Sequence, residues 1–202
     1  MTEPVAPVTG LVISQHDPDS ERVLADAGFE PDETHAMFGF VQPLTGPLSE
    51  VVLPAGYAVR SMTDIDARSR ADAARLSFRS TMEPDMHRAR YRRFMASPAY
   101  EPENDLVVIA PDGEIAAFGI VWPDDDLGSG QFEPVGTHPG HVRKGLGRAV
   151  VTAGLHRLRD LGMRSARVTT FESRTPAVAL YLACGFQQVD RLRTWRRPEP
   201  RT

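Results

Sequence analysis

The sequence predicts a mixed α/β fold in which helices pack against the faces of one sheet. Strand-length apolar runs and amphipathic helix-length segments alternate from residue 57 onward in the order β-α-α-β-β-β-α-β-α-β-β. Two of the strands flank Pro111–Gly113, whose Pro-Asp-Gly sequence is typical of a hairpin turn. A third strand leads into a glycine-rich turn and then into a long amphipathic helix.

The elements can be placed in chain order from their start and stop signals. Thr63, with Asp66 three residues later, predicts a capping box at the start of the first helix, and Pro84 suits the first turn of the second. Pro123–Gly130, with three consecutive aspartates, is predicted to be a solvated loop. The predicted segments are a strand at 57–62, helices at 63–78 and 84–95, strands at 106–110, 114–122 and 131–137, a helix at 146–161, a strand at 166–171, a helix at 175–184, and two short strands at 186–190 and 192–197.

The composition is that of an ordinary globular protein, with 41% apolar and 25% charged residues. The apolar runs are too short to cross a bilayer and the N-terminus lacks the features of a signal peptide, so we expect a cytoplasmic protein without a membrane partner. Cys184 is the only cysteine, which excludes an intramolecular disulfide, and no Cys/His spacing predicts a zinc site. We therefore expect no bound metal.

The net charge of −4 is unevenly distributed along the chain. Residues 1–50 contain nine acidic side chains and one arginine, which leaves a charge of +4 on residues 51–202. A modestly basic module suits a small polyanionic ligand, whereas nucleic acid binding would need a larger basic patch with aromatic side chains. Pro43–Pro54 is rich in proline and is predicted to link the acidic N-terminal piece to the rest.

The glycine-rich turn at His138–Arg148 has the features of an anion-binding site. Its glycines let the backbone approach a ligand closely, and the dipole of the following helix favours negative charge. Arg143, Lys144 and Arg148 add positive charge. The turn lacks the Gly-Lys-Ser/Thr of a P-loop and the third glycine of a dinucleotide fingerprint, which argues against a nucleotide-binding α/β domain. Gly-x-Gly alone would also suit a simple connection between a strand and a helix.

Two motifs at the expected separation resemble the GNAT superfamily of N-acetyltransferases. The segment 133–149, a strand followed by the glycine-rich turn, resembles the acetyl-CoA motif of that superfamily. About thirty residues later, 176–186 resembles its second signature, in which a tyrosine precedes a Gly-Phe pair. The resemblance implies a GNAT domain over residues 49–202, with a mainly antiparallel sheet splayed at its centre and acetyl-CoA as the acyl donor.

The resemblance also implies which residues bind acetyl-CoA. Backbone groups of Val135, Gly136 and Thr137 are expected to pair with the pantetheine arm. Val142 stands where the family usually has Arg or Gln, and Arg174 stands where it usually has Asn, so the side-chain contacts at both positions differ from the family pattern. The backbone contacts to the pyrophosphate need no particular side chain, and they are expected from Val142, Arg143, Lys144, Gly145, Leu146, Gly147 and Arg148.

Acetyl transfer to an amine needs a base, stabilisation of the carbonyl oxygen and protonation of the departing thiolate. The resemblance implies Tyr181 as the general acid; the alternative is a core tyrosine that shares a helix face with Val178. Glu133, near the end of the strand beside the expected acceptor pocket, is our candidate base, although a surface strand glutamate is an equal alternative. Glu172 and His138 are weaker candidates.

Residues 11–38 echo residues 168–195, with Ala27-Gly28-Phe29 matching Cys184-Gly185-Phe186. The N-terminal segment, 1–48, is thus predicted to be a linker plus the C-terminal third of a first GNAT copy, as in a truncated tandem GNAT protein of the mycothiol-synthase-like kind. Leu24 holds the tyrosine position, so this copy should be inactive. It should pack on the main domain or exchange with a second subunit in a homodimer.

These observations predict an enzyme that transfers acetyl from acetyl-CoA to a primary amine of a small molecule or peptide. The alternative is a catalytically silent GNAT-like module that binds acyl-CoA as a sensor or scaffold. Turnover with any amine distinguishes the two functions.

Overall fold

Eight strands form one sheet in the computed structural model, which describes residues 11–198. Their order is β1-β8-β2-β7-β6-β5-β4-β3, and β6–β7 is the one parallel pair among these neighbours. The strands are β1 (Leu11–Ser14), β2 (Glu30–Pro43), β3 (Ala58–Ser61), β4 (Asp105–Ile109), β5 (Ile115–Asp124), β6 (Ser129–Thr137), β7 (Ser165–Phe171) and β8 (Gln187–Arg196).

Five α-helices accompany the sheet within the described residues, and none of them is long and apolar enough to cross a membrane. Helix α2 follows a short 3-10 turn at Asp64–Asp66, so the predicted capping box precedes the α-helix by one turn. The helices are α1 (Pro18–Asp26), α2 (Ala67–Ser77), α3 (Pro84–Met95), α4 (Leu146–Asp160) and α5 (Thr175–Ala183).

Helices cover both faces of the sheet, as the alternation of strand residues requires. On one face, Val108 and Ala117 pack in a core cluster that includes α4. On the other, their neighbours Val107 and Phe118 pack with residues of α2 and α3. The predicted mixed α/β fold, with a mainly antiparallel sheet between helices, is confirmed.

A buried ion pair anchors the layer formed by α2 and α3 to the sheet. Arg70 Nε donates to Asp105 Oδ1 at 3.0 Å, and both side chains are almost fully buried. The hydroxyls of Tyr91 and Tyr100 donate to the other carboxylate oxygen at 2.6 and 3.2 Å. The Arg70 guanidinium also lies 3.7 Å from the centre of the Phe118 ring. These contacts hold Phe118 firmly beneath β6.

Two local predictions were wrong. The last described element is one strand, β8, where two short strands were expected. The strand is continuous because Asp190 and Arg191, at its middle, remain paired with β2. Asp190 lies opposite Gly39, and Arg191 Nε donates to Glu172 at 3.0 Å. The predicted loop at Pro123–Gly130 is also shorter, since β5 extends to Asp124 and β6 begins at Ser129.

The N-terminal segment belongs to the same sheet as the rest of the chain. Strand β2 lies between β7 and β8 and pairs with both, and β1 pairs with β8 at the sheet edge. The predicted linker after β2 is packed rather than free: Leu44 is buried, and His156 Nε2 contacts the Ser49 carbonyl oxygen at 2.9 Å. Within this chain, the segment packs against the main domain.

Candidate active site

The sheet opens between its two parallel strands. β6 pairs with β7 only through Ser129–Gln131, which face Ser165–Arg167. Beyond this point the two strands no longer pair with each other, although each still pairs with its other neighbour. A register shift between β5 and β6 places the extra residue of a bulge near Pro134, which has no N–H to donate to a neighbouring strand. The sequence therefore bends β6 away from β7 and leaves backbone groups of β6 exposed to a ligand.

A cavity of about 530 Å³, called here the central cavity, lies at this opening. It brings together the second half of β6, the glycine-rich turn and α5. Of the predicted binding residues, Lys144 does not line it and the other nine do: Val135, Gly136, Thr137, Val142, Arg143, Gly145, Leu146, Gly147 and Arg148. Tyr181 lines it as well, whereas Glu133 does not.

The glycine-rich turn takes a backbone shape suited to binding an anion. Gly145 has φ 78° and is the N-cap of α4, and Arg143 also has a positive φ, of 62°. The first N–H groups of an α-helix have no acceptor within the helix, so those at the start of α4 are available to a ligand. The Arg143 and Arg148 side chains are exposed beside them.

Lys144 has a different place from the other residues of the turn. Its ammonium donates to the Tyr57 hydroxyl at 2.8 Å, and that hydroxyl contacts His141 Nδ1 at 3.0 Å. His141 Nε2 in turn contacts Glu114 Oε2 at 2.8 Å. This chain of hydrogen bonds ties the turn to the hairpin between β4 and β5.

Two of these residues, Glu114 and His141, also lie close to His138. The three side chains are the one group of metal-ligand type found among residues 11–198. His138 Nδ1 accepts from the Gly140 N–H at 3.1 Å, so its Nε2 carries the proton and faces Glu114 at 3.6 Å. The contacts of Glu114 with both histidines link the glycine-rich turn to the β4–β5 hairpin.

Tyr181 is buried, with 6% of its surface exposed, between Phe40 and Phe186. Burial raises the pKa of its hydroxyl to about 12. The hydroxyl therefore stays protonated through the neutral range and can donate toward a ligand in the central cavity. Burial likewise raises the pKa of the nearby Cys184 thiol to about 11, which suits a packing role rather than a nucleophile.

Glu133 lies two residues beyond the part of β6 that pairs with β7, and it is exposed. It lines a second cavity of about 450 Å³, called here the side cavity, together with Phe94, Trp122, Gln131 and Pro134. Trp122 Nε1 donates to the Glu133 carbonyl at 2.6 Å, so the backbone at this position is held in place. Of the weaker candidate bases, Glu172 is ion-paired with Arg191 and His138 is bonded within its own turn.

Sequence reasoning missed three residues at these sites. Ser77 and Phe78, at the end of α2, line the central cavity opposite the glycine-rich turn, and the Ser77 hydroxyl is buried without a hydrogen-bond partner in the described structure. Their only sequence signal was the end of a predicted helix. The third is Tyr57, which the sequence predicts only as a strand residue. No local pattern predicts its hydrogen bond with Lys144, which is 87 residues away.

Comparison with known proteins gives a family and several relatives. The family model described as the acetyltransferase (GNAT) family matches residues 70–186. A mycothiol acetyltransferase of Clavibacter sepedonicus is 30% identical over 141 residues, which is 69% of this chain and 46% of that protein. One of Thermomonospora curvata is 31% identical, over 69% of this chain and 47% of that protein. The chain thus spans about half the length of the curated relatives it matches.

Solved structures share the fold at low sequence identity. A GCN5-related N-acetyltransferase from Sphaerobacter thermophilus has a TM-score of 0.73 and 21% identity, and the match covers 96% of this chain and 61% of that one. A tandem GNAT protein from the clavulanic acid biosynthesis pathway has a TM-score of 0.72 and 17% identity, with 96% and 66% covered.

Proposed function

The chain belongs to the acetyltransferase (GNAT) family, and on this basis we propose that it transfers an acetyl group from acetyl-CoA to a primary amine of a small molecule or peptide. One observation carries the proposal. The opening of the sheet brings the splayed part of β6, the glycine-rich turn and Tyr181 to one cavity, although the motifs lie far apart in the chain.

The central cavity has the groups that an acyl-CoA needs. The N–H groups at the start of α4, with Arg143 and Arg148, suit the pyrophosphate. Val135, Gly136 and Thr137 pair with β5 but have no strand partner on the β7 side. The backbone groups on that side suit the amides of the pantetheine arm, and an N–H among them would stabilise the oxyanion that develops on the thioester. Lys144 would act through Tyr57, by holding the turn in place.

The amine nitrogen loses two protons during the reaction, and the departing sulfur gains one. Glu133 takes the first proton from the acceptor ammonium, directly or through a water molecule, and the free amine then attacks the thioester carbonyl. As the C–S bond breaks, Tyr181 donates its proton to the sulfur, and the second proton of the nitrogen restores the tyrosine hydroxyl, directly or through water. The side cavity ends at Pro134 and the central cavity begins at Val135, so the two cavities adjoin along β6.

Thermal unfolding with acetyl-CoA, with ATP and NAD as controls, tests donor binding. At about a hundredfold excess over Kd, acetyl-CoA alone should raise Tm by roughly 5–10 °C. Arg143→Glu should reduce this shift, and Arg22→Glu, the same change on exposed α1, should not. Stabilisation by acetyl-CoA, together with release of CoA when an amine is added, supports the enzyme. Stabilisation without CoA release in the presence of any amine favours the silent acyl-CoA-binding module. An unchanged Tm with acetyl-CoA contradicts both functions.

We also propose that residues 1–48 are a partial GNAT-like repeat with a linker and that the acetyltransferase domain covers residues 49–202. The support is local. Helices α1 and α5 have nine residues each, and each is followed, two residues after its end, by a glycine with a positive φ, Gly28 or Gly185. Because Leu24 stands where Tyr181 does, calorimetry should give one acetyl-CoA per chain, and two would contradict an inactive copy. Residues 1–10 lie outside the described part, and a homodimer and a cytoplasmic location stay predictions.

A further inference from the structure

The side cavity has an aromatic wall next to a carboxylate. The rings of Phe94 and Trp122 meet edge to face with their centres 6.0 Å apart, and the hydrogen bond from Trp122 to the Glu133 backbone fixes the indole. Aromatic faces attract cations, and a neighbouring carboxylate adds to this attraction. The cavity is therefore suited to an ammonium group on an aliphatic chain.

Among the described residues, no positively charged side chain lines this cavity, and Glu133 is the one ionisable residue that does. Two of the four arginines of α3 have other places. Arg88 is paired with Asp72 and Asp85, and Arg92 lines a different cavity beside α2. A carboxylate on an acceptor would lie beside the Glu133 carboxylate here without a cationic side chain in the lining, and this like-charge repulsion disfavours such acceptors.

The β5–β6 hairpin that leads away from the side cavity carries three aspartates, and the Arg164 guanidinium lies beside Gly128 at its turn. Trp122 pairs with Gln131, and two residues further on Asp124 pairs with Ser129, where Asp125 and Asp126 are exposed at the turn. At about 3.3 Å per residue, this end of the hairpin is roughly 13 Å from Glu133. An extended triamine can place one ammonium at each end of that distance.

We propose that the side cavity binds an aliphatic di- or polyamine as the acetyl acceptor, with the reacting amine at Glu133, the chain against Trp122 and Phe94, and a second ammonium toward Asp125 and Asp126. The inference rests on the proposed function, because it names the acceptor of the same reaction. It predicts a preference for polycationic amines over amines that carry a carboxylate.

Initial rates of CoA release test the proposal with three matched acceptors. Putrescine has two ammonium groups, n-butylamine has one, and ornithine is putrescine with a carboxylate. We expect kcat/KM for putrescine to exceed that for ornithine by about tenfold at low salt, because the ornithine carboxylate is repelled by Glu133. Spermidine should exceed n-butylamine, and the difference should shrink as the salt concentration rises. Trp122→Leu should raise KM for all the amines.

A charge-matched pair of variants tests the contribution of the hairpin. The double variant Asp125→Asn/Asp126→Asn should lower kcat/KM for spermidine roughly three- to tenfold at low salt and leave n-butylamine unchanged. Asp19→Asn/Asp160→Asn removes the same charge from exposed sites on α1 and α4 and should change neither.

Three outcomes would overturn the inference: ornithine used as well as putrescine, an unchanged ratio of spermidine to n-butylamine in the hairpin variant, or stabilisation by acetyl-CoA with no acetylation of any cationic amine. In each of these outcomes, a rise in Tm with acetyl-CoA would show that the protein still binds the acetyl donor, as the proposed function requires. Failure of the proposed function is distinguished by the absence of both acetyl-CoA stabilisation and CoA release.

Discussion

The Tyr181 hydroxyl is set apart from the other buried tyrosines by what it contacts. Tyr91 and Tyr100 both donate to Asp105, so their hydroxyls are used within the protein core. Tyr181 has no such partner among the described residues, and it lines the central cavity. Its raised pKa keeps the proton on the oxygen until it is needed, as an acid requires.

Tyr181→Phe should lower kcat by about 10²–10⁴-fold, the usual contribution of a general acid, and leave the Tm shift with acetyl-CoA nearly unchanged. The ring remains, so its packing against Phe40 and Phe186 is retained. Rates under saturating acetyl-CoA, together with thermal unfolding, measure the two effects.

Tyr91→Phe is the matched control. It removes a donor from buried Asp105 and should cost about 1–3 kcal/mol of stability without a comparable loss of kcat. If both variants lost activity in proportion to stability, the role of Tyr181 would be structural.

At the scale of elements, β6 depends on a glycine at its splayed end. A Cβ at Gly136 would lie 2.3 Å from Cζ of Phe118, whose ring is fully buried beneath the Arg70 guanidinium and cannot yield. A Cβ at Gly119 on the neighbouring strand would meet Val135 at an ordinary 3.6 Å. The close approach of β6 to Phe118 therefore determines where the backbone that faces the central cavity lies.

Gly136→Ala should displace β6, lowering stability by about 1–3 kcal/mol and weakening the acetyl-CoA effect on Tm. Gly119→Ala should change both by much less. Equal effects of the two substitutions, measured by thermal unfolding with and without acetyl-CoA, would contradict the role given to this contact.

The start of α2 depends on the ionisation of Asp66. Hydrogen bonds from Arg60 and then from Thr63 lower the pKa of Asp66 from 3.8 to about 2, against the opposing effect of burial. Because the folded-state pKa is the lower one, the stabilisation is complete above about pH 4 and is lost as the pH falls toward 2.

Asp66→Asn should therefore lower the free energy of unfolding by about 1 kcal/mol at pH 7 and by clearly less at pH 3. The value at pH 7 is small because Arg60 is partly exposed to solvent. Urea unfolding of both proteins at the two pH values measures this difference. A cost that does not change with pH would mean that the charge of Asp66 is unimportant.

At the scale of the whole molecule, the N-terminal segment supports the site at the other end of the chain. Strand β2 completes the sheet between β7 and β8, and its residue Phe40 is buried, with its ring 6.0 Å from that of Tyr181. The segment is thus part of the core that orients the candidate acid, whatever its own ancestry.

Phe40→Ala should cost about 3–5 kcal/mol, lower Tm by roughly 10 °C and reduce kcat even at temperatures where the protein stays folded. Val23→Ala, in the same segment but 63% exposed, should change neither quantity noticeably. Unaltered kcat in folded Phe40→Ala protein would show that the segment stabilises the fold without orienting Tyr181.

Local patterns were sufficient for most elements and for the two motifs. Gly145 and Gly185 mark helix boundaries through their own backbone preferences, and the anion-binding turn follows from contiguous residues. The continuity of β8 was missed because Asp190 and Arg191 resemble a turn until their partners, Gly39 and Glu172, are in place.

By itself, the sequence determined the order of the elements, the glycine-rich turn, the tyrosine signature and the family resemblance, because each depends on residues close together in the chain. The tertiary structure decided that β2 enters between β7 and β8, that Lys144 is bonded to Tyr57, and that Trp122 and Phe94 meet beside Glu133. Those arrangements depend on contacts between distant residues, whose geometry is set only when the sheet and its helices pack together.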